Sequence, residues 1–378
     1  MKPLHTRTLT SVLSDLLNIE TSDARTLLIL VVLLIFAVLI GRAMISPANQ
    51  KRSMPKRKLF LAAGALVMVI MFGVLAVNFL TDILPHRAIE TALAKGDYQR
   101  AAEIYLEQEM YDEAREIQLL MAEKALAAGD YTKAIDVYEK QLYNIDLADE
   151  ARFARAQAAL KQQHTALALP DLVATLSRPY TAALLLEDPA TRLALFAPGS
   201  TIQLPGRVPS GATTWHVLAC ESNRVLLLCS NFGESPYAVG MAPVTWETSL
   251  LRESIYAFRD ERLCDAVQAA MLPVQLTNTR NDQGVISPAP VTVDTIFAPS
   301  DDELMQYLLQ LAQAVPNMTF WTRTPCADYA HSAIMVTVQA LSENKTKLTR
   351  YSSSTNMARQ VFPVMWLDLN ALLQGWAE

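Results

Sequence analysis

Residues 59–80, LFLAAGALVMVIMFGVLAVNFL, run for 22 positions without a charged side chain. A helix needs ~20 apolar residues to cross a bilayer, where every backbone amide must be bonded internally. A second window, TLLILVVLLIFAVLI, begins at Thr26 and reaches that length if it extends to Ile45, with Arg42 snorkelling to the interface. A cleaved signal peptide is the competing reading of this window. Its length, its late start and the lack of a small-residue cleavage site argue against that. The two windows account for a positive mean hydropathy of +0.17. The sequence therefore predicts a transmembrane hairpin over residues 26–82, preceded by an N-terminal tail over residues 1–25.

The connector, residues 41–58, carries Arg42, Lys51, Arg52, Lys56, Arg57 and Lys58 and no acidic residue. Short basic loops are retained on the cytoplasmic side. Both termini then lie outside, in a two-span protein of a bacterial cytoplasmic membrane with extracytoplasmic C-terminal domains and the lipid bilayer as a partner. A nucleic-acid role for KRSMPKRK is the alternative. The net charge of −6 leaves the rest of the chain without a basic footprint, so no nucleic-acid partner is expected.

Cys220, Cys229, Cys264 and Cys326 all fall in the C-terminal half. On an exported face they permit disulfides without requiring them. No Cys-x-x-Cys pair exists, and the five histidines lack metal-ligand spacing, so neither metal nor cofactor is expected.

After the second window the text repeats itself. ALAKGDYQRAAEIY begins at Ala92 and ALAAGDYTKAIDVY at Ala125, a 33-residue period close to that of tetratricopeptide repeats. Glycine-aspartate breaks one helix, the small Ala101 and Ala134 let the next pack closely, and Tyr105 and Tyr138 fill the space between helices. Residues 83–165 are read as a short helical-repeat stalk that contacts a protein partner; an ordinary helical hairpin is the plainer alternative. Residues 166–196, punctuated by Pro170, Pro179 and Pro189, read as a connector with one or two helical turns.

Residues 197–378 read as an α+β domain. WHVLACESNRVLLLCS is a hairpin turning at Ser222-Asn223, in a register that pairs Cys220 with Val225 and Cys229 with His216. That pairing holds Cys220 and Cys229 too far apart to bond. His216 beside Cys229 would suggest metal or thiolate chemistry, but there is no third ligand. Thr245 is positioned to cap a helix bearing Leu251, Ile255 and Phe258 on one face. Ser300 and Glu303 form a capping box that opens DDELMQYLLQLAQAV. VTVDTIFAP, AIMVTVQA, TKLTRY and VFPVMWLDL read as strands.

The order GSTIQLPGR, WHVL, LLLCS, VTWETSLLRESI, TIFAPSDDEL, FWTRTP and FPVMWLDL, over residues 197–370, resembles the bacterial family called domain of unknown function 6273. The matching positions are Trp215, Trp246, Glu247, Leu251, Arg252, Trp321, Arg323, Pro325, Pro363 and Trp366. The chain departs from the family at Phe362, which stands in place of arginine, and at Cys326, which stands in place of glycine. The resemblance implies a layout like the C-type-lectin-like and formylglycine-generating folds, beside tetratricopeptide-like repeats. By the same resemblance, Cys264 with Cys326 would be the thiol pair of an enzymatic version.

Trp246 and Leu251 are read as core anchors, and Arg252, five positions after Glu247, should reach a different element. Trp321, Arg323, Asp328, Tyr329 and His331 gather aromatic and polar groups of the kind found at binding surfaces, and scaffold is the competing reading. No nucleophile with a base in reach is evident, so an enzyme is not expected. The leading expectation is a membrane-anchored binding or scaffold protein that recognises an envelope protein or glycan. An exported enzyme related in layout to formylglycine-generating proteins, or a structural subunit of a membrane complex, are the alternatives.

Overall fold

The computed structural model describes residues 83–208, 211–240, 244–278, 291–326, 329, 331–342 and 345–378, with residues 64, 67, 70–75 and 77. The expected two-span membrane protein is corrected. No helix among the described residues is long and apolar enough to cross a membrane. The longest described helices have 17 residues and carry charges of both signs, where a span needs ~20 apolar ones. The window at residues 26–45 lies outside the described residues, as does most of residues 59–80. The membrane localisation is corrected by the same finding, and the fold class becomes mixed α+β.

The chain divides into two compact units, Met1–Ile117 and Gln118–Glu378. In the first, α1 (Leu84–Ala94) packs against α2 (Tyr98–Glu107). Helix α3 (Tyr111–Ala127) runs across the division, which therefore falls inside the segment read as one stalk. The second unit continues with α4 (Tyr131–Asp136), a π-helical turn (Val137–Gln141) and α5 (Ile145–Lys161).

The glycine-aspartate repeat is one helix-ending device used twice. Gly96 and Gly129 adopt φ of 74° and 76°, a left-handed conformation that glycine reaches without steric cost. In each case the following aspartate amide returns to a carbonyl five residues back, Asp97 N to Ala92 O and Asp130 N to Ala125 O, both at 2.8 Å. The same aspartates then cap the next helix, each accepting an amide at 3.1 Å, from Arg100 and Lys133. Glu109 and Gln163 end α2 and α5 with the same hydrogen bonds but without glycine.

Residues 166–196 are mostly helical rather than a connector, forming α6 (Thr165–Ala174), α7 (Pro179–Glu187) and α8 (Pro189–Leu195). Pro179 and Pro189 occupy the first position of their helices, where the missing N–H has no intrahelical partner to lose. Leu172, Leu176, Leu185 and Phe196 join one apolar core with the strands that follow.

Those strands form two five-stranded sheets and a hairpin. The first sheet has the order β1 (Thr201–Leu204), β2 (Thr213–Glu221), β3 (Arg224–Cys229), β12 (Val364–Asp368), β5 (Met271–Leu272). The second has β10 (Lys345–Ser354), β9 (Ser332–Ser342), β8 (Thr319–Pro325), β11 (Ala358–Val361), β4 (Gly233–Pro236). β6 (Val274–Thr277) and β7 (Val291–Asp294) pair alone; α10 (Asp265–Ala269), α12 (Leu308–Ala314) and the last helix, α13 (Leu369–Ala377), belong to the same unit.

Cys220 faces Val225 as read, but Cys229 faces Trp215 rather than His216. A β-bulge between Val217 and Ala219 adds one residue to β2 and slips everything beyond it by one. The segment VFPVMWLDL is two strands, not one. β11 lies in the second sheet and β12 in the first, with Phe362 and Pro363 carrying the chain between them.

Candidate functional site

The stretch TWETSLLR supplies Trp246 and Arg252 to a dense polar cluster around Asp294. Thr245 offers no side-chain cap; it precedes a single 3-10 turn (Trp246–Thr248) that holds Glu247. The cap is Ser249, whose hydroxyl accepts from Arg252 N at 3.1 Å and opens α9 (Leu250–Arg262). Leu251, Ile255 and Phe258 face the core. Across from them lies Asp294, fully buried at the end of β7. Its Oδ1 accepts from Arg252 Nε at 2.8 Å, Arg252 Nη2 at 2.6 Å and Tyr256 Oη at 2.7 Å. Its Oδ2 accepts from Trp246 Nε1 at 3.0 Å and Thr292 Oγ1 at 2.8 Å.

Burial pushes the Asp294 carboxyl up, but donors from Trp246, Arg252, Tyr256 and Thr292 outweigh it and hold its pKa below the ordinary value. Both oxygens are occupied. Such a carboxylate cannot act as a base without breaking its own supports, so the cluster fixes α9 to β7.

WTRTP is likewise turned inward. Trp321 is fully buried, donates from Nε1 to Ser235 O at 3.1 Å and meets Tyr237 edge to face. Arg323 is 6% exposed and forks onto Glu303, with Nη2 2.6 Å from Oε1 and Nη1 on Oε2. Oε2 also accepts Ser300 N at 2.9 Å, closing the capping box of α11 (Asp301–Met305). Tyr237 Oη donates to Arg323 O at 3.0 Å. Tyr329 and His331 are exposed, and Asp328 lies outside the described residues. The five residues read as one binding surface are therefore not brought together: two are core, two are surface.

The remaining positions are structural. Trp215 is buried and donates to Thr213 Oγ1 at 2.7 Å. Pro325 ends β8, and Pro363 O accepts the amide of Cys229 at 2.8 Å. Trp366 is half-buried beneath the Arg224 guanidinium, 4.8 Å away. Phe362 packs edge-on against Phe320, so the position where arginine was expected is apolar core.

All four cysteines are free thiols, and Cys229 and Cys326 are buried. Burial pushes the Cys229 thiol up to about 12 and raises Cys220 as well, the opposite of what a thiolate nucleophile needs. His216 Nδ1 lies 3.0 Å from Thr201 Oγ1, and burial lowers its pKa. Among the described residues, no three His, Cys, Asp or Glu converge as a metal site requires.

The helices offer open surface instead. A groove of about 330 Å³ lies between α4 and α5, lined by Tyr131, Ala154, Gln157, Ala158, Lys161 and Gln162. Within the first unit, a groove of about 350 Å³ runs between α1 and α2.

Asp294 and Tyr256 are the functional-looking residues that sequence reasoning missed. In VTVD the alternation suggests inward valines, yet Thr292 and Asp294 are buried while Val291 and Val293 are exposed. The one available signal was Arg252 and Tyr256, four apart on a single helical face. Compared with protein-family profiles, curated proteins and solved structures, the chain matches none of them. The resemblance to domain of unknown function 6273, and the layouts it implied, therefore lend no residue a role.

Proposed function

We propose that this protein is a non-catalytic binding scaffold whose helices hold a segment of a protein partner while the sheets provide rigid support. The groove between α4 and α5 carries this reading. Ala154 and Ala158 stand one helical turn apart and give a floor without projecting side chains. Gln157, Lys161 and Gln162 are exposed along its edge, and Tyr131 forms the opposite wall. Amide side chains offer both donor and acceptor, so they suit the N–H and C=O groups of an extended chain laid over the alanines. The closed polar clusters around Asp294 and Glu303 support the same reading, since saturated groups favour rigidity over proton transfer.

The test is a photo-crosslinking amino acid at Gln157 in the full chain, in its native cells. A discrete adduct is expected, lost when Ala158→Trp fills the groove and absent when the probe sits at the exposed Lys347. An adduct that survives Ala158→Trp in a protein with wild-type melting, or no adduct at all, removes the reading.

A further inference from the structure

Residues 83–117, within the first unit, hold eight Asp and Glu against four Lys and Arg, so this segment is acidic overall. The groove between α1 and α2 has the opposite sign. It is lined by Arg87 and Thr91 of α1 and by Lys95, its C-terminal cap, with Asp97, Arg100 and Ile104. Its one acid, Asp97, is engaged in capping α2 through Arg100 N. Arg100 already pairs with Glu103 at 3.2 Å and Glu107 at 3.5 Å, partners on its own helix. Arg87 and Lys95 are exposed, and neither has an ion-pair partner among the described residues. Two cations that have no ion-pair partner among the described residues thus face one concave surface on a segment that is otherwise acidic.

We infer that this groove docks an acidic, extended segment of the partner protein, an inference that deepens the scaffold reading and rests on it. Arg87 of α1 and Lys95 at its C-terminal cap stand eight residues apart, about 12 Å along the helix axis. An extended chain advances about 3.3 Å per residue. Two carboxylates four residues apart therefore match the two cations, while Ala92 and Ile104, both buried, give the space between them an apolar floor. The acidic surroundings sharpen the selection: an acid placed elsewhere on this segment meets like charge, so position in the groove is rewarded and general stickiness is not.

The test uses a defined probe and does not depend on the crosslink at Gln157. A fluorescein-labelled nonapeptide with two glutamates four apart on an Ala/Ser background is titrated against the full-length chain by anisotropy. Its glutamine counterpart serves as the control. Binding is expected for the glutamate peptide alone. It should weaken at least tenfold with Arg87→Glu plus Lys95→Glu, and also fall as salt shortens the screening length below the ~10 Å found at 0.1 M. The milder Arg87→Gln plus Lys95→Gln variant should fall between, and Lys347→Glu, exposed and outside both grooves, should bind as wild type. Equal binding of the glutamine peptide, or wild-type binding by the doubly reversed variant, overturns the inference. So does concentration-dependent self-association that this variant abolishes, because the groove would then belong to a second copy of the chain. An adduct at Gln157 without peptide binding here defeats this inference and leaves the scaffold standing.

Discussion

Arg252 holds Asp294 through two nitrogens, at 2.8 and 2.6 Å, and so ties the start of α9 to the end of β7. Asp294 is fully buried, while the Arg252 side chain is 28% exposed and can recover some water if the pair is broken. Asp294→Asn should therefore cost about 3 kcal/mol, near the low end for a broken buried pair. The pH dependence has a definite sign. The folded pKa of Asp294 is depressed, so its contribution is complete above the unfolded value of ~3.9 and disappears as pH falls through the folded one. Urea denaturation at neutral pH and near pH 3 should show the wild type converging on Asp294→Asn in acid. A neutral-pH loss under about 1 kcal/mol would show that the five donors can dispense with the charge.

Trp321 and Arg323 belong to the scaffold. Trp321→Ala leaves a cavity beside Tyr237 and should cost ~3–5 kcal/mol. Arg323→Ala strands Glu303, which is 36% exposed and also serves the cap of α11, so a loss of about 2 kcal/mol is expected, below that of a fully buried pair. A double-mutant cycle with Glu303→Ala measures the coupling directly. An Arg323→Ala protein that melts like wild type would return this segment to the candidates for a ligand surface.

Local chemistry was legible in the sequence where one residue type has one physical use. Gly96 and Gly129 marked two helix ends because their backbone is left-handed there, and the Ser300–Glu303 box announced its helix. The β2–β3 hairpin was legible up to the bulge at Leu218, which nothing in an apolar run signals. The prolines misled, because Pro179 and Pro189 start helices as readily as they interrupt a loop. The Asp294 cluster was hidden by long-range pairing. Its donors come from residues 246–256 and 292, and no local pattern says that β7 turns its polar face inward.

Two of the left-handed helix ends lack glycine. Glu109 sits at φ 60° and Gln163 at φ 61°, with the same returning hydrogen bonds as at Gly96 and Gly129. A non-glycine residue in this conformation costs roughly 1–2 kcal/mol. Glu109→Gly and Gln163→Gly should each stabilise the protein by about 1 kcal/mol, and Gly129→Ala should destabilise it by a similar amount. No atom lies within 4 Å of a Cβ built on Gly129, so that penalty is purely one of backbone conformation. Chemical denaturation of the three variants checks the signs, and a destabilising Gln163→Gly would mean that the side chain, not the backbone, decides that turn.

The sheets share one core with the helices before them. Leu172, Leu176, Leu185 and Phe196 are all at or below 1% exposure and belong to the same core as Ile202, Leu228, Leu372 and Leu373. α7 packs on α13, and Arg192 Nη1 reaches Asn370 Oδ1 at 2.9 Å, so the first part of this unit is fastened to its last helix. Burying a large apolar side chain contributes ~1.5–3 kcal/mol. Losing those four removes on the order of 6–12 kcal/mol, as much as the ~5–15 kcal/mol by which a typical domain is stable. A fragment over residues 198–378 should therefore fail to unfold cooperatively, while one over residues 118–378 should give a single transition. Thermal and urea melts followed by tryptophan fluorescence report on the pair, since Trp215, Trp246 and Trp321 are all buried in the sheet region. A cooperative melt of the shorter fragment would show that α6, α7 and α8 merely cover a core already complete within the sheets.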